Sequence, residues 1–141
     1  YQYYYVRRSG GKWKQTPITR SNHQWNSGHL VWTANDRLHA YVVVGEGYDS
    51  GKGNMDRYGG GAIEEWISSD DGDTWKKARE LTPDRKKYPG WKYNNIQGVT
   101  RPDGTLVPGM LLFYGWKHSD APNGVGFLLH EQTPNMERAG T

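Results

Sequence analysis

Four polar stretches of the chain carry side chains that can do chemistry, each lying between more apolar runs. His23 sits in Ser21-Asn22-His23-Gln24-Trp25-Asn26-Ser27-Gly28. A neutral imidazole there can act as a general base, ligate a metal or meet a sugar, with Trp25 and Asn26 beside it. A loop histidine bonded to backbone is the bland alternative. Asp56-Arg57-Tyr58 opens the run Gly59-Gly60-Gly61. Arg57 offers a guanidinium fork to a carboxylate or sulfate. A phenol beside that guanidinium has a lowered pKa, which would suit Tyr58 to proton transfer. Against this stands a simple Asp56–Arg57 pair in a solvated loop. The glycine run is not a phosphate loop, because no Gly-Lys-Ser/Thr ending or helix follows it.

The third stretch sets Arg85, Lys86 and Lys87 beside Tyr88, Trp91, Lys92 and Tyr93. Alternating cations and rings suit an anionic sugar chain, with rings on pyranose faces and cations on carboxylates or sulfates. The same mixture fits single-stranded nucleic acid or a merely solvated loop. His118, in Lys117-His118-Ser119-Asp120, is the fourth. It can converge with His23, but no third ligand for zinc is identifiable. His29 and His39 fall at or in strands and read as structural. Glu64 and Glu65 are adjacent in a strand, so they point to opposite faces and cannot serve as a paired acid and base.

These stretches need a scaffold, and the pattern for one is all β. Strands are expected over residues 1–8, 12–19, 29–34, 38–45, 62–68, 74–81, 95–100, 106–116 and 124–131, about nine in total. The run Tyr41-Val42-Val43-Val44 reads as a central strand apolar on both faces. Pro17 marks an edge strand, and Pro108-Gly109 a bulge. No window carries a helical period bounded by caps. At residues 68–75 the chain reads Ser-Ser-Asp-Asp-Gly-Asp-Thr-Trp. Gly72 supplies a positive φ for a tight reversal, and Ser68 and Asp70 can bond backbone amides inside it. Trp75 is expected to fold back and be largely buried.

With Ser68, Asp70, Gly72, Thr74 and Trp75 at these spacings, the stretch resembles the Asp-box, or BNR repeat, of sialidase-like β-propellers. In that family the motif is structural. It joins the third and fourth strands of a four-stranded blade and lies opposite the active face. The resemblance implies a complete blade over residues 29–81, with strands A to D beginning at His29, Leu38, Ala62 and Thr74. Residues 1–19 become the C–D half of the blade before, with Ser9-Gly10-Gly11-Lys12-Trp13 as a shortened Asp-box. Residues 95–131 become strands A, B and C of the blade after. That is a β-propeller segment of about two and a quarter blades, too few to close a ring. The remaining blades would come from the same or another chain. The working face would be built from the loops 21–28, 46–61, 82–94 and 117–123.

His-Gln-Trp-Asn-Ser-Gly, the tyrosine-containing loop ending Arg-Tyr-Gly-Gly-Gly, and Glu-Trp-Ile-Ser-Ser-Asp-Asp-Gly together look like BNR-4 proteins. Those include polysaccharide lyases of the ulvan-lyase type. In such lyases an Arg neutralises a uronate carboxylate, and Tyr and His transfer the protons of β-elimination. The resemblance implies Arg57, Tyr58 and His23 as catalytic, with Tyr48 and Tyr41 as rivals for Tyr58. It implies Trp25, Asn26, Lys86, Lys87, Tyr88, Trp91, Lys92 and His118 as substrate contacts. The Arg-Ile-Pro motif of true sialidases is missing. The expected function is β-elimination of an acidic polysaccharide by a secreted or periplasmic propeller. The alternatives are a non-catalytic glycan-binding or extracellular structural propeller, or a sialidase-like glycoside hydrolase. Neither nucleic acid nor a membrane is an expected partner, and a bound divalent metal, calcium or zinc, is left open.

Composition agrees with this class. Only 34% of the 141 residues are hydrophobic, yet 13% are aromatic, with seven Trp and ten Tyr. Burial must therefore come largely from rings. Nineteen Gly and seven Pro suit many turns. With no Cys, disulfides and thiolate metal sites are excluded. A net charge of +3 suits an acidic partner without identifying one. No run is long and apolar enough to be a membrane-spanning helix. A chain opening on Tyr1 is expected to be processed or a piece of a longer one.

Overall fold

The computed structural model describes residues 1–21, 28–33, 35, 37–45, 60–82, 86–87, 89, 91–116 and 125–130, with the backbone alone at 108, 116 and 125–130. Their regular structure is all strand: β1 Gln2–Ser9, β2 Lys12–Arg20, β3 His29–Thr33, β4 Arg37–Val44, β5 Ala62–Ser68, β6 Lys76–Glu80, β7 Lys92–Thr100, β8 Leu106–Trp116 and β9 Val125–His130. Consecutive strands pair antiparallel into a two-stranded sheet β1–β2, a four-stranded sheet β3–β4–β5–β6 and a three-stranded sheet β7–β8–β9. No helix among the described residues is long and apolar enough to cross a membrane.

The central sheet is organised by β4. Leu38, Ala40, Tyr41, Val42 and Val43 are all buried, so this strand is covered on both faces, as its apolar run requires. Alternation sends Tyr41 and Val43 one way, with Ile63 of β5 opposite Val43. They join Leu81, Tyr93, Ile96, Leu111 and Phe113 in the main core, between the second and third sheets. Tyr93 meets Phe113 edge to face at 5.6 Å. On its other side the central sheet meets β1–β2. Ser21 Oγ donates to the Val43 carbonyl at 2.9 Å, and the Tyr5 ring lies against Gly72 and Trp75. Tyr3 is half-buried there, with its hydroxyl oxygen enclosed. Burial pushes its phenol up to about 12, against a smaller lowering from the Val43 backbone.

Irregularities fall where the residue types call for them. The register between β7 and β8 shifts between Gly98↔Leu111 and Thr100↔Leu106, and Gly109 lies in that stretch at φ 67. This is the bulge expected at Pro108-Gly109. A second shift, between Asn94 and Gln97, contains Asn95 at φ 53. Asn tolerates that left-handed conformation better than most residues. Pro17 lies in β2, which pairs only with β1 among the described residues.

Two boundaries differ from the sequence expectation by more than one residue. β7 begins at Lys92 instead of residue 95, because Tyr93 is tied to Gly61 by reciprocal backbone bonds of 3.0 and 2.9 Å. Lys92 is therefore the first residue of a strand and not part of the preceding loop. β6 begins at Lys76 instead of Thr74, because Thr74 is held in the preceding turn.

Candidate functional site

The Asp-box stretch forms a turn wired by its own side chains. Asp71 and Gly72 both take the left-handed region, at φ 56 and 83. Ser68 Oγ accepts from the Gly72 amide at 2.9 Å and donates to Asp70 Oδ1 at 2.7 Å. Asp70 then accepts from the Thr74 amide at 2.9 Å and from its hydroxyl at 2.6 Å. The Thr74 hydroxyl, the Thr74 amide and the Ser68 hydroxyl hold the Asp70 carboxyl down to about 2. Trp75 does fold back, donating Nε1 to the Gly72 carbonyl at 3.2 Å and standing edge-on to Tyr5 at 5.6 Å. It is largely though not fully buried, as expected. The turn lies at the molecule's surface, and the ring has one neighbouring ring, not an enclosing core.

The opposite end of the central sheet is where the loops of interest depart and return. Gly45 and Gly61 meet backbone to backbone: a Cβ on Gly61 would lie 2.3 Å from the Val44 carbonyl oxygen and 2.5 Å from Gly45 Cα. Only glycine allows that approach. The described residues that flank 46–59 are thus gathered at one point, and the Gly61–Tyr93 bridge joins that point to β7. The same end receives the connection from β6 to β7. There Lys86 and Lys87 are exposed, and Lys92 is half-buried at the start of β7. Trp91 is half-buried and packs against the main core, so its ring serves the fold as well as the surface.

Most of the sequence candidates lie outside the described residues: His23, Trp25, Asn26, Tyr48, Arg57, Tyr58, Tyr88 and His118. Of the tyrosines proposed for proton transfer, Tyr41 is described. It is buried in the main core between His29 and His39, stacked with each at 6.3 and 6.5 Å. Burial lowers the pKa of His29, favouring neutral imidazole. Tyr41 is a packing residue in this arrangement.

The carboxylates of β5 do point to opposite faces, and each meets its own cation. Glu64 accepts from Lys77 Nζ at 2.5 Å and from Trp66 Nε1 at 2.9 Å. Glu65, only 2% exposed, joins His39 Nδ1 at 2.7 Å and Arg79 Nε at 2.5 Å. Burial raises the Glu65 pKa, but the His39 and Arg79 contacts outweigh it and hold the carboxyl down to about 2. This buried group was missed in the sequence. Its signal was the pairing of Glu65 with Arg79 across β5 and β6, hidden by a register shift between Glu65 and Trp66. The Glu65 carboxylate is buried and bonded to both partners, which suits structure better than turnover.

Among the described residues no group of three or more His, Asp or Glu is placed to hold a metal ion. The described parts can position loops at one end and brace a turn at the other. No family model, no curated protein and no solved structure matches this chain.

Proposed function

We propose that the chain is part of an Asp-box β-propeller of the BNR-4 type that cleaves an acidic polysaccharide by β-elimination. The observation that carries this reading is the wired Ser68–Trp75 turn between the third and fourth strands of a four-stranded antiparallel meander. The flanking two- and three-stranded sheets support a reading of about two and a quarter blades, with further blades from the same or another chain. The substrate side would be the end where loop 46–59 and the β6–β7 connection meet. Arg57 would neutralise the uronate carboxylate, where charge builds as the C5 proton leaves. Tyr58 or His23 would take that proton. Lys86, Lys87 and Lys92 would meet further anionic groups, and Trp91 a sugar face. Such a protein would work outside the cytoplasm, secreted or periplasmic.

The test is product formation by the complete protein on uronate polysaccharides, followed through the absorbance of a new unsaturated uronate. Arg57→Ala should lower kcat together with kcat/KM by roughly two orders of magnitude, as when a transition-state donor is removed. Arg57→Lys should restore part of it, because charge remains and the fork is lost. Binding without product would leave a non-catalytic glycan-binding or structural propeller. Activity limited to neutral glycans would remove the elimination mechanism, and unchanged turnover in Arg57→Ala would remove Arg57 from it.

A further inference from the structure

Tyr41 stacks with two imidazoles that are placed differently. His39, two residues earlier on β4, stands 6.5 Å from the Tyr41 ring and sets Nδ1 2.7 Å from Glu65 Oε1. His29, the partner of Tyr41 across β3 and β4, stands 6.3 Å from it at an interplanar angle of 22°. Its ring reaches the third sheet. A Cβ at Gly98 would lie 2.3 Å from His29 Nε2, 2.5 Å from its Cε1 and 2.9 Å from a Leu106 methyl. The imidazole therefore fills the room that a side chain at 98 would need, and it rests on the β7 backbone.

The charges around the two rings differ as well. Beyond Tyr41, on the side away from His29, lie His39 on β4, Glu65 on β5 and Arg79 on β6, already joined to one another. Arg37 and Lys76 are exposed toward the turn end of the same sheet. On the third sheet β7 and β8 bring Gly98, Ile96, Leu106 and Leu111 to this interface. The charges of β7 lie at its ends. Lys92 and the buried phenol of Tyr93 are at its start, and Arg101 and Asp103 are in the turn after it. There Arg101 donates to the Leu106 carbonyl at 2.8 Å, and Asp103 accepts from the Thr105 amide at 2.9 Å. Among the described residues a carboxylate answers a charge on His39, and none is bonded to His29.

We propose that His29 is an acid-sensitive latch that pins β3, a five-residue strand at the edge of the central sheet, to β7 of the third. Neutral, the ring stacks on Tyr41 with its edge on Gly98. Protonated, it sets a cation against Gly98 and Leu106, and water solvates that cation better once β3 lifts away. Burial lowers the His29 pKa from its ordinary 6.5, so the closed latch binds fewer protons than the open one. Its contribution is complete above the ordinary value and is lost as pH falls through the closed-state one. His39 adds no such loss, because Glu65 neutralises its charge in place. The Gly61–Tyr93 bridge and the main core hold the two sheets together separately, so β3 alone is released. The latch requires neither a propeller nor a cleavage activity.

The test follows amide exchange, corrected for intrinsic rates, and the His29 ring signals by NMR, in the full chain from about pH 7.5 to about pH 5. Both Glu65 and Asp70 stay ionised across that window. The β3 amides should exchange severalfold faster at the acid end, with a midpoint that coincides with the titration of the His29 ring, while β5 keeps its protection. His29→Gln, neutral at every pH, should remove the step, and His39→Gln should retain it. Protection of β3 that does not change with pH, or that falls together with that of β5, overturns the latch. Both of those outcomes are read in the parent chain, whatever the folding of the variants. A step that survives His29→Gln, or one that is lost in His39→Gln, overturns it as well.

Discussion

The β1–β2 hairpin reverses on Gly10 and Gly11, at φ 55 and 78, with nothing within 4 Å of where either Cβ would be. The β5–β6 hairpin reverses on Asp71 and Gly72, in the same left-handed region, inside a net of side-chain bonds. The first turn needs only permissive backbone, and its Trp13 stands 71% exposed with Arg8 over the ring at 5.9 Å. The second turn is held from within by Ser68, Asp70 and Thr74. From outside, the Tyr5 ring packs on it and Arg7 reaches Asp71 and Asp73. One hairpin is therefore defined by what its backbone can do, and the other by what surrounds it. Substitutions should separate the two.

Gly72→Ala should have the largest effect. A Cβ there would lie 2.2 Å from the Tyr5 ring, so the ring must leave its edge contact with Trp75. Left-handed strain adds to the lost packing, for a total of about 3 kcal/mol by denaturant unfolding. Ser68→Ala should cost about 2 kcal/mol, because the buried Gly72 amide loses its acceptor. Gly11→Ala should cost about 1 kcal/mol, from backbone strain alone, since the added methyl meets open space. Equal losses at Gly11 and Gly72 would show that Tyr5 does not brace the second turn.

The same contrast explains what was legible in the sequence. The Ser68–Trp75 turn was readable because its determinants are local: each bond closes within a few residues, so spacing alone encodes it. The central strand β4 was readable because an apolar run covered on both faces leaves its mark in composition. The turn at residues 9–13, which resembles a shortened Asp-box, lacks most of the motif's side chains. Its glycines do make the reversal, but without residues equivalent to Asp70 and Thr74 the Trp13 ring is left exposed. What escaped the sequence was non-local. The contact between Gly45 and Gly61, the Gly61–Tyr93 bridge and the His39–Glu65–Arg79 cluster each join residues far apart in the chain, and their register is set by bulges. The loop candidates rest on residue type and resemblance, and Trp91 and Tyr41 show the limit of type alone. Both are aromatic and near a loop, and both pack in or against the core.

The smallest expected difference is a local dependence on acid. Asp70 titrates near 2 in the folded turn, below its ordinary 3.8. The folded state therefore binds fewer protons at this site than the unfolded chain. Its stabilising contribution is complete above the ordinary value and is lost as pH falls toward about 2. Glu65 behaves in the same direction, from 4.5 to about 2, but it is buried at the sheet interface and should weaken the whole molecule. Amide exchange corrected for intrinsic rates can tell these apart. The Gly72 and Thr74 amides, which donate to Ser68 and Asp70, should lose protection across this window before β5 does. The amide of Lys12, after the glycine turn, should follow only the global change. Asp70→Asn should remove the local step at Thr74 and leave the global one. If both hairpins lose protection together in the parent chain and in Asp70→Asn, acid acts through Glu65, and the bonds around Asp70 add no pH dependence of their own.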